Sequence, residues 1–155
     1  MYPLLLWTLL SQKAIRSDGK TWPWPEYHHL RKLNNFLFRL GVRFVRDVEI
    51  CDGDQRFRFR CANATEFCRC MKMFIKETGT CDWIREMVKP GDVFYDIGAN
   101  IGIYTLMAAA RVGASGKVVA FEPHSPTLVR LLANIAANGL EGVVSACNVD
   151  LHREA

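Results

Sequence analysis

Two acids, Asp96 and Glu122, and two glycines between them, Gly98 and Gly102, are the residues of this chain whose types and spacing fit ligand chemistry. Asp96 follows Val93-Phe94-Tyr95, a short apolar and aromatic run behind the turn signal Pro90-Gly91-Asp92, and 93–97 reads as a buried strand. Gly98-Ala99-Asn100-Ile101-Gly102 comes next, and an Ala-rich stretch over 103–111 reads as a helix. Glycines lack a Cβ, so the backbone can turn sharply there and a ligand can come close. The helix start behind them presents N–H groups without intrahelical partners. Strand, acid, glycine loop and helix together open a nucleotide-binding βαβ unit.

The acid decides what kind of nucleotide. The dinucleotide fingerprint is G-x-G-x-x-G, with its carboxylate about 20 residues later. Here the spacing is G-x-x-x-G, and a carboxylate stands before the first glycine. It would repel a pyrophosphate and favour a ligand with cationic and hydroxyl groups. S-adenosylmethionine has both: an ammonium, a sulfonium and a ribose diol. A second strand, Lys117–Phe121, ends at Glu122, 26 residues past Asp96. A carboxylate in that place can accept two hydrogen bonds from a ribose diol. The intervening segment is long enough for a helix, which predicts parallel strands and a right-handed crossover.

The run Asp96-Ile97-Gly98-Ala99-Asn100-Ile101-Gly102, then Phe121-Glu122-Pro123, then residues 134–140, resembles the FkbM-type methyltransferases. These belong to the class I S-adenosylmethionine-dependent fold. The resemblance runs from about residue 76 to the end, roughly half of the chain. It implies S-adenosylmethionine as cofactor. Asp96, Gly98, Ala99, Asn100 and Gly102 would hold its methionine end, and Glu122, followed by Pro123, its ribose. Asn148, near the end of a third strand over 143–149, would meet the adenine, a place His124 could also take. The implied reaction is O-methylation of a small molecule or sugar, with that small molecule as partner. No residue is assigned to catalysis, and no metal is expected.

The implied fold is α/β: a Rossmann-like class I methyltransferase sheet, preceded by an α+β N-terminal region. The division falls at 1–75 and 76–155. The family's sheet has seven strands in the order 3-2-1-4-5-7-6, and this chain supplies three, so the expected sheet is truncated after the third core strand. An unpaired apolar edge on 93–97 would then invite self-association, and a homo-oligomer through that edge is the expected assembly. The alternative is a catalytically inactive remnant or partner subunit that keeps the half-sheet. An NAD-binding protein is disfavoured by the missing fingerprint.

Composition bounds these readings. A chain of 155 residues, half of them hydrophobic, suits one ordinary globular domain. The net charge of +4 is unevenly placed: residues 1–60 carry 11 Lys/Arg against 6 Asp/Glu, and residues 61–155 carry 9 against 10. Basic residues on a solvated helix and hairpin account for this without a nucleic-acid partner. Six cysteines, at 51, 61, 68, 70, 81 and 147, form no paired C-x-x-C units, so a zinc site is not expected; the methyltransferase resemblance implies a reducing, cytoplasmic setting and therefore free thiols.

The apolar start, Tyr2 to Leu10, falls well short of the roughly 20 residues a membrane span needs, so no firm membrane association is expected. Trp22-Pro23-Trp24-Pro25 reads as a loop. Leu30, Leu33, Leu37 and Leu40 give residues 26–40 a helical period, with Gly41 as stop. His28 and His29 lie there about 100° apart, too divergent for one metal.

A hairpin is expected over 42–50 and 55–60, turning at Asp52-Gly53, with Phe57 and Phe59 inward and Arg56, Arg58 and Arg60 outward. A helix over 63–75, capped by Thr65, and another from Thr80 to Val88 with Trp83, Ile84 and Met87 inward should follow. Glu77, between them, is a surface-loop residue and a weaker site candidate. After Glu122, Ser125 is the expected cap of a helix with Leu128, Leu131, Leu132 and Ile135 on one stripe, ended by Asn138-Gly139.

Overall fold

The computed structural model of the chain describes residues 46–73 and 78–150. The expectations for the apolar start, the Trp-Pro loop, the helix over 26–40, and Glu77 lie outside the described residues. The chain divides into two compact units, Met1–Met71 and Lys72–Ala155.

In the first unit, β1 (Arg46–Asp52) and β2 (Gln55–Cys61) pair antiparallel, from Asp52 opposite Gln55 to Arg46 opposite Cys61. The turn is therefore Gly53-Asp54, one residue later than the Asp-Gly signal placed it. Gly53 occupies the first turn position at φ +60°, the place where two-residue hairpins favour glycine. Phe57, Phe59 and Cys61 are buried, while Arg56, Arg58 and Arg60 face solvent. Across the hairpin Arg56 meets Glu49 at 3.2 Å and Arg60 meets Asp47 at 4.0 Å. These exposed pairs add little stability, but they match the basic strand with acids on its neighbour.

Helix α1 (Ala64–Met71) is capped by Asn63, not by Thr65. Asn63 Oδ1 accepts the Glu66 N–H at 2.9 Å, and Glu66 reaches back to the Ala62 N–H at 2.7 Å. This reciprocal box satisfies two N–H groups at once, which a cap at Thr65 would not. Cys61 and Cys70 place their sulfurs 3.7 Å apart in the interior, and the contact together with burial pushes the Cys70 thiol pKa far up. Cys51, Cys61, Cys70, Cys81 and Cys147 are free thiols.

The second unit opens with α2 (Thr78–Met87), which begins two residues before the expected start at Thr80. Its buried residues are Cys81 and Ile84, with Val88 buried just past its end, so Trp83 and Met87 do not point inward: they are 51% and 58% exposed. The stripe on this helix is one residue wide per turn, and Trp83 flanks it, resting its ring 6.2 Å from that of Phe94. Strands β3 (Val93–Ile97), β4 (Lys117–Phe121) and β5 (Val144–Cys147) form a parallel sheet in the order β3-β4-β5. Helix α3 (Ile103–Val112) joins β3 to β4, and α4 (Ser125–Ala137) joins β4 to β5. This is one wing of a doubly wound, Rossmann-like α/β sheet.

Residues alternate along each strand. Asp96, Val118, Ala120 and Val144 are buried on one face. On the other, Val93, Tyr95 and Ile97 stand 58%, 62% and 69% exposed, an apolar row along the strand with no second neighbour among the described residues. No helix among the described residues is long and apolar enough to cross a membrane.

Helix α4 differs from expectation in two places. Its cap is His124, whose carbonyl accepts the Thr127 and Leu128 N–H groups at 2.9 Å, and Ser125 is the first helical residue. The buried residues are Leu131, Asn134 and Ile135, while Leu132 is 49% exposed. Leu131, Asn134 and Ile135 are spaced i, i+3, i+4, and Leu132 lies 100° around from Leu131, off that narrow face.

Gly116 sits where the turn after α3 enters β4. A Cβ on it would lie 2.5 Å from Val112 Cβ and 2.7 Å from the Asp92 carbonyl oxygen. That oxygen also accepts the Lys117 N–H at 2.9 Å, so it is fixed by the start of the sheet. Gly116→Ala is therefore expected to lower the urea midpoint by the equivalent of about 1–3 kcal/mol. Gly142→Ala, with open space around its Cβ, should stay within about 0.5 kcal/mol. Equal midpoints for the two variants would refute the close approach.

Candidate functional site

The loop between β3 and α3 folds back over the end of β4. The Phe121 carbonyl accepts the N–H groups of both Gly98 and Ala99 at 2.9 Å. Next along the loop, the Asn100 N–H donates to Glu122 Oε2 at 2.8 Å. Asn100 adopts φ +52°, a left-handed conformation that asparagine tolerates better than most side chains, and its Oδ1 accepts the Ile101 N–H at 3.0 Å. Gly102 then starts α3 at φ +94°, and a Cβ there would lie 2.6 Å from Leu131 Cδ1. Backbone conformation and close packing both require glycine at this position.

Glu122 is the junction. Its Oε2 takes the Asn100 N–H and its Oε1 takes the His124 N–H at 2.9 Å, while its own N–H donates to the Cys147 carbonyl at 3.0 Å. The residue is 6% exposed. The side chain thus ties the loop after β3 to the turn after β4 and to the end of β5.

Asp96, 8% exposed, accepts the Thr105 hydroxyl on Oδ2 at 2.5 Å. Burial raises its pKa above the ordinary aspartate range; hydrogen bonds from Thr105 oppose the shift, and the nearby charge of Glu122 adds to it. The two acids stand at the ends of the neighbouring strands β3 and β4. No cation pairs with either among the described residues. A pair of buried carboxylates without a cation is costly to the fold and is the kind of arrangement kept at ligand sites.

The remaining expected site residues divide. Ala99 is buried in the loop, and Gly98, Pro123 and His124 are exposed beside it. His124 Nδ1 and Thr127 Oγ1 share a hydrogen bond at 2.7 Å. The Asn148 side-chain amide donates to the carbonyls of Glu122 and Pro123, each at 2.8 Å, and its Oδ1 accepts the Ser125 hydroxyl at 3.0 Å. The structure thus places Asn148 against the Glu122 turn, with its amide engaged by the protein itself.

Two buried polar residues, Thr105 and Asn134, were not among the expected site residues, although Asn134 opens the 134–140 segment of the resemblance. Thr105 is fully buried against Asp96, and Asn134 is fully buried with its Nδ2 donating to the Ile101 carbonyl at 2.8 Å. The available signal was a polar residue inside an apolar pattern: Thr105 in an Ala-rich helix, Asn134 between Leu131 and Ile135.

Comparison with known proteins gives this site a context. No family model matches the chain. AMB antimetabolite synthetase AmbE of Pseudomonas aeruginosa is 40% identical over 73 residues, 47% of this chain and 3% of that protein. Among solved structures, an S-adenosylmethionine-dependent O-methyltransferase from Thermotoga maritima aligns with 69% of this chain and 41% of its own, at 21% identity and a TM-score of 0.47. The P. horikoshii protein TYW2, solved in complex with MeSAdo, aligns with 81% of this chain and 50% of its own, at 21% identity and a TM-score of 0.48. The chain thus spans a small fraction of the curated relative and at most half of these two structures.

The raised Asp96 pKa has a sign that can be measured. In the window between the ordinary aspartate range and the raised value, the folded protein holds more protons than the unfolded chain. Stability from this group is therefore present in acid and is lost as pH rises through that window. Asp96→Asn keeps an acceptor for Thr105 without the charge. The difference in melting midpoint, variant minus wild type, should grow from about pH 4 to about pH 7, with the variant the more stable at the upper end. A difference that does not change with pH would show that Asp96 titrates normally.

Proposed function

We propose that the second unit binds S-adenosylmethionine at the C-terminal ends of β3, β4 and β5. On this reading the chain belongs to a methyltransferase of the FkbM type that methylates an oxygen of a small molecule or sugar. The observation that carries the reading is the pair Asp96 and Glu122, two buried carboxylates at the ends of the neighbouring strands β3 and β4 with no cation against them among the described residues. A ligand with an ammonium, a sulfonium and a diol would bring positive charge and further donors to these carboxylates. The donor set fits the group: Asp96 would face the cationic methionine end. Glu122, its two oxygens already oriented by the Asn100 and His124 N–H groups, would accept the ribose hydroxyls.

Bound S-adenosylmethionine supplies a methyl group on a positively charged sulfur, which an acceptor oxygen takes as the sulfur leaves as a neutral thioether. This chain's own contribution is to hold and orient that compound, the larger share of what such a displacement asks of a protein.

The exposed row Val93, Tyr95 and Ile97 favours a second reading. In it, the half-sheet is a non-catalytic subunit whose β3 edge pairs with a second copy. It predicts no measurable cofactor affinity and a dimer by light scattering.

Calorimetric titration of the full chain with S-adenosylmethionine is expected to give micromolar-to-millimolar affinity. Glu122→Gln should weaken binding about 10- to 100-fold, the cost of losing hydrogen bonds to a charged acceptor. A folded protein that takes up none of the compound, or a variant with unchanged affinity, overturns the reading. NAD, titrated alongside, should give no heat.

A further inference from the structure

We propose that Asn134 is a positioning residue for the cofactor loop: from α4 it fixes the Ile101–Gly102 peptide at the end of the loop and so limits how far the loop, two peptides upstream, can carry the Asn100 N–H away from Glu122. The contact joins residues 33 apart in the chain, and both partners have left water. Asn134 is fully buried, and Ile101 is 2% exposed. A buried carbonyl needs a donor, and a buried amide needs an acceptor, and this bond serves both.

The geometry of the loop makes this bond more than a packing contact. Gly98, Asn100 and Gly102 all have positive φ, at +78°, +52° and +94°. A segment of that kind can turn a peptide plane over at small steric cost. Here the Ile101 residue is pinned on both sides, its N–H by Asn100 Oδ1 and its carbonyl by Asn134 Nδ2. One turn earlier on the same face of α4, Leu131 closes against Gly102. Leu131 thereby sets the distance between helix and loop, while Asn134 sets the orientation of the peptide. Without the amide, the Asn100 N–H is free to leave Glu122, while the His124 N–H, on the other side of the carboxylate, is held by a separate turn.

The role in cofactor binding rests on the reading proposed above, but the loop geometry can be tested without ligand. Amide hydrogen exchange on the full chain compares Asn100 with His124, two donors to one carboxylate. In Asn134→Leu, Asn100 should lose about tenfold in protection while His124 changes little, and affinity for S-adenosylmethionine should fall by a similar factor. Asn134→Gln, which keeps an amide donor, should restore part of both. Should Asn134→Leu fail to fold, Asn134→Ser, smaller and with a donor too short to reach, carries the same comparison. Equal loss at both amides would mean general destabilisation and would overturn the proposal, as would unchanged protection at Asn100. If wild type binds no S-adenosylmethionine, the functional reading fails, while the exchange pattern still decides the role of Asn134.

Discussion

The second unit turns on one carboxylate. Glu122 stands where three segments meet: the loop after β3 through the Asn100 N–H, the turn after β4 through the His124 N–H, and the end of β5 through its own backbone. Charge-assisted bonds of this type are short and about twice as strong as neutral ones. They are also directional, so the carboxylate has one orientation before any ligand arrives. Pre-orientation of this sort removes part of the ordering cost that binding otherwise carries.

The same arrangement works against stability. Asp96 is buried beside Glu122, and burial makes its charged form unfavourable. A fold selected only for stability would place an apolar side chain or an asparagine at the end of β3. Thr105 moderates the cost with its hydroxyl, and the result is an acid that is held but not neutralised. Unresolved local cost on an otherwise well-packed sheet is the common mark of a site where stability yields to ligand chemistry.

Local order explains what the amino-acid pattern could reveal. The strands Val93–Ile97 and Lys117–Phe121, the helix after Gly102, and the parallel pairing are set by short-range signals, and the structure shows them where those signals point. The width of a buried stripe is not such a signal. Trp83, Met87 and Leu132 have the right period to face inward, yet each is about half exposed, because the neighbouring surface covers only a narrow arc of each helix. Caps failed for a related reason. Thr65 and Ser125 are both good capping types, but an asparagine or a histidine just upstream already terminates the turn, so each becomes part of the first turn. Asn134 and Asn148 both stood out in the sequence, but their partners did not: these are backbone carbonyls 33 and 26 residues distant, and backbone carbonyls leave no trace in composition or spacing.

These two asparagines account for how so small a sheet can hold a loop rich in left-handed residues. Three positive φ values within five residues describe a segment with little conformational preference of its own. Its shape is imposed from outside: by the Phe121 carbonyl on Gly98 and Ala99, by Glu122 on Asn100, and by α4 on Ile101 and Gly102. Asn148 does for the turn after β4 what Asn134 does for the loop after β3, bridging the Glu122 and Pro123 carbonyls from the end of β5. Amides suit this work because they donate to a carbonyl without adding charge near Asp96 and Glu122. A lysine or arginine in either position would instead bring a positive charge close to the two acids. Neutral clamps thus hold the loop and the turn in place without setting a cation against either acid.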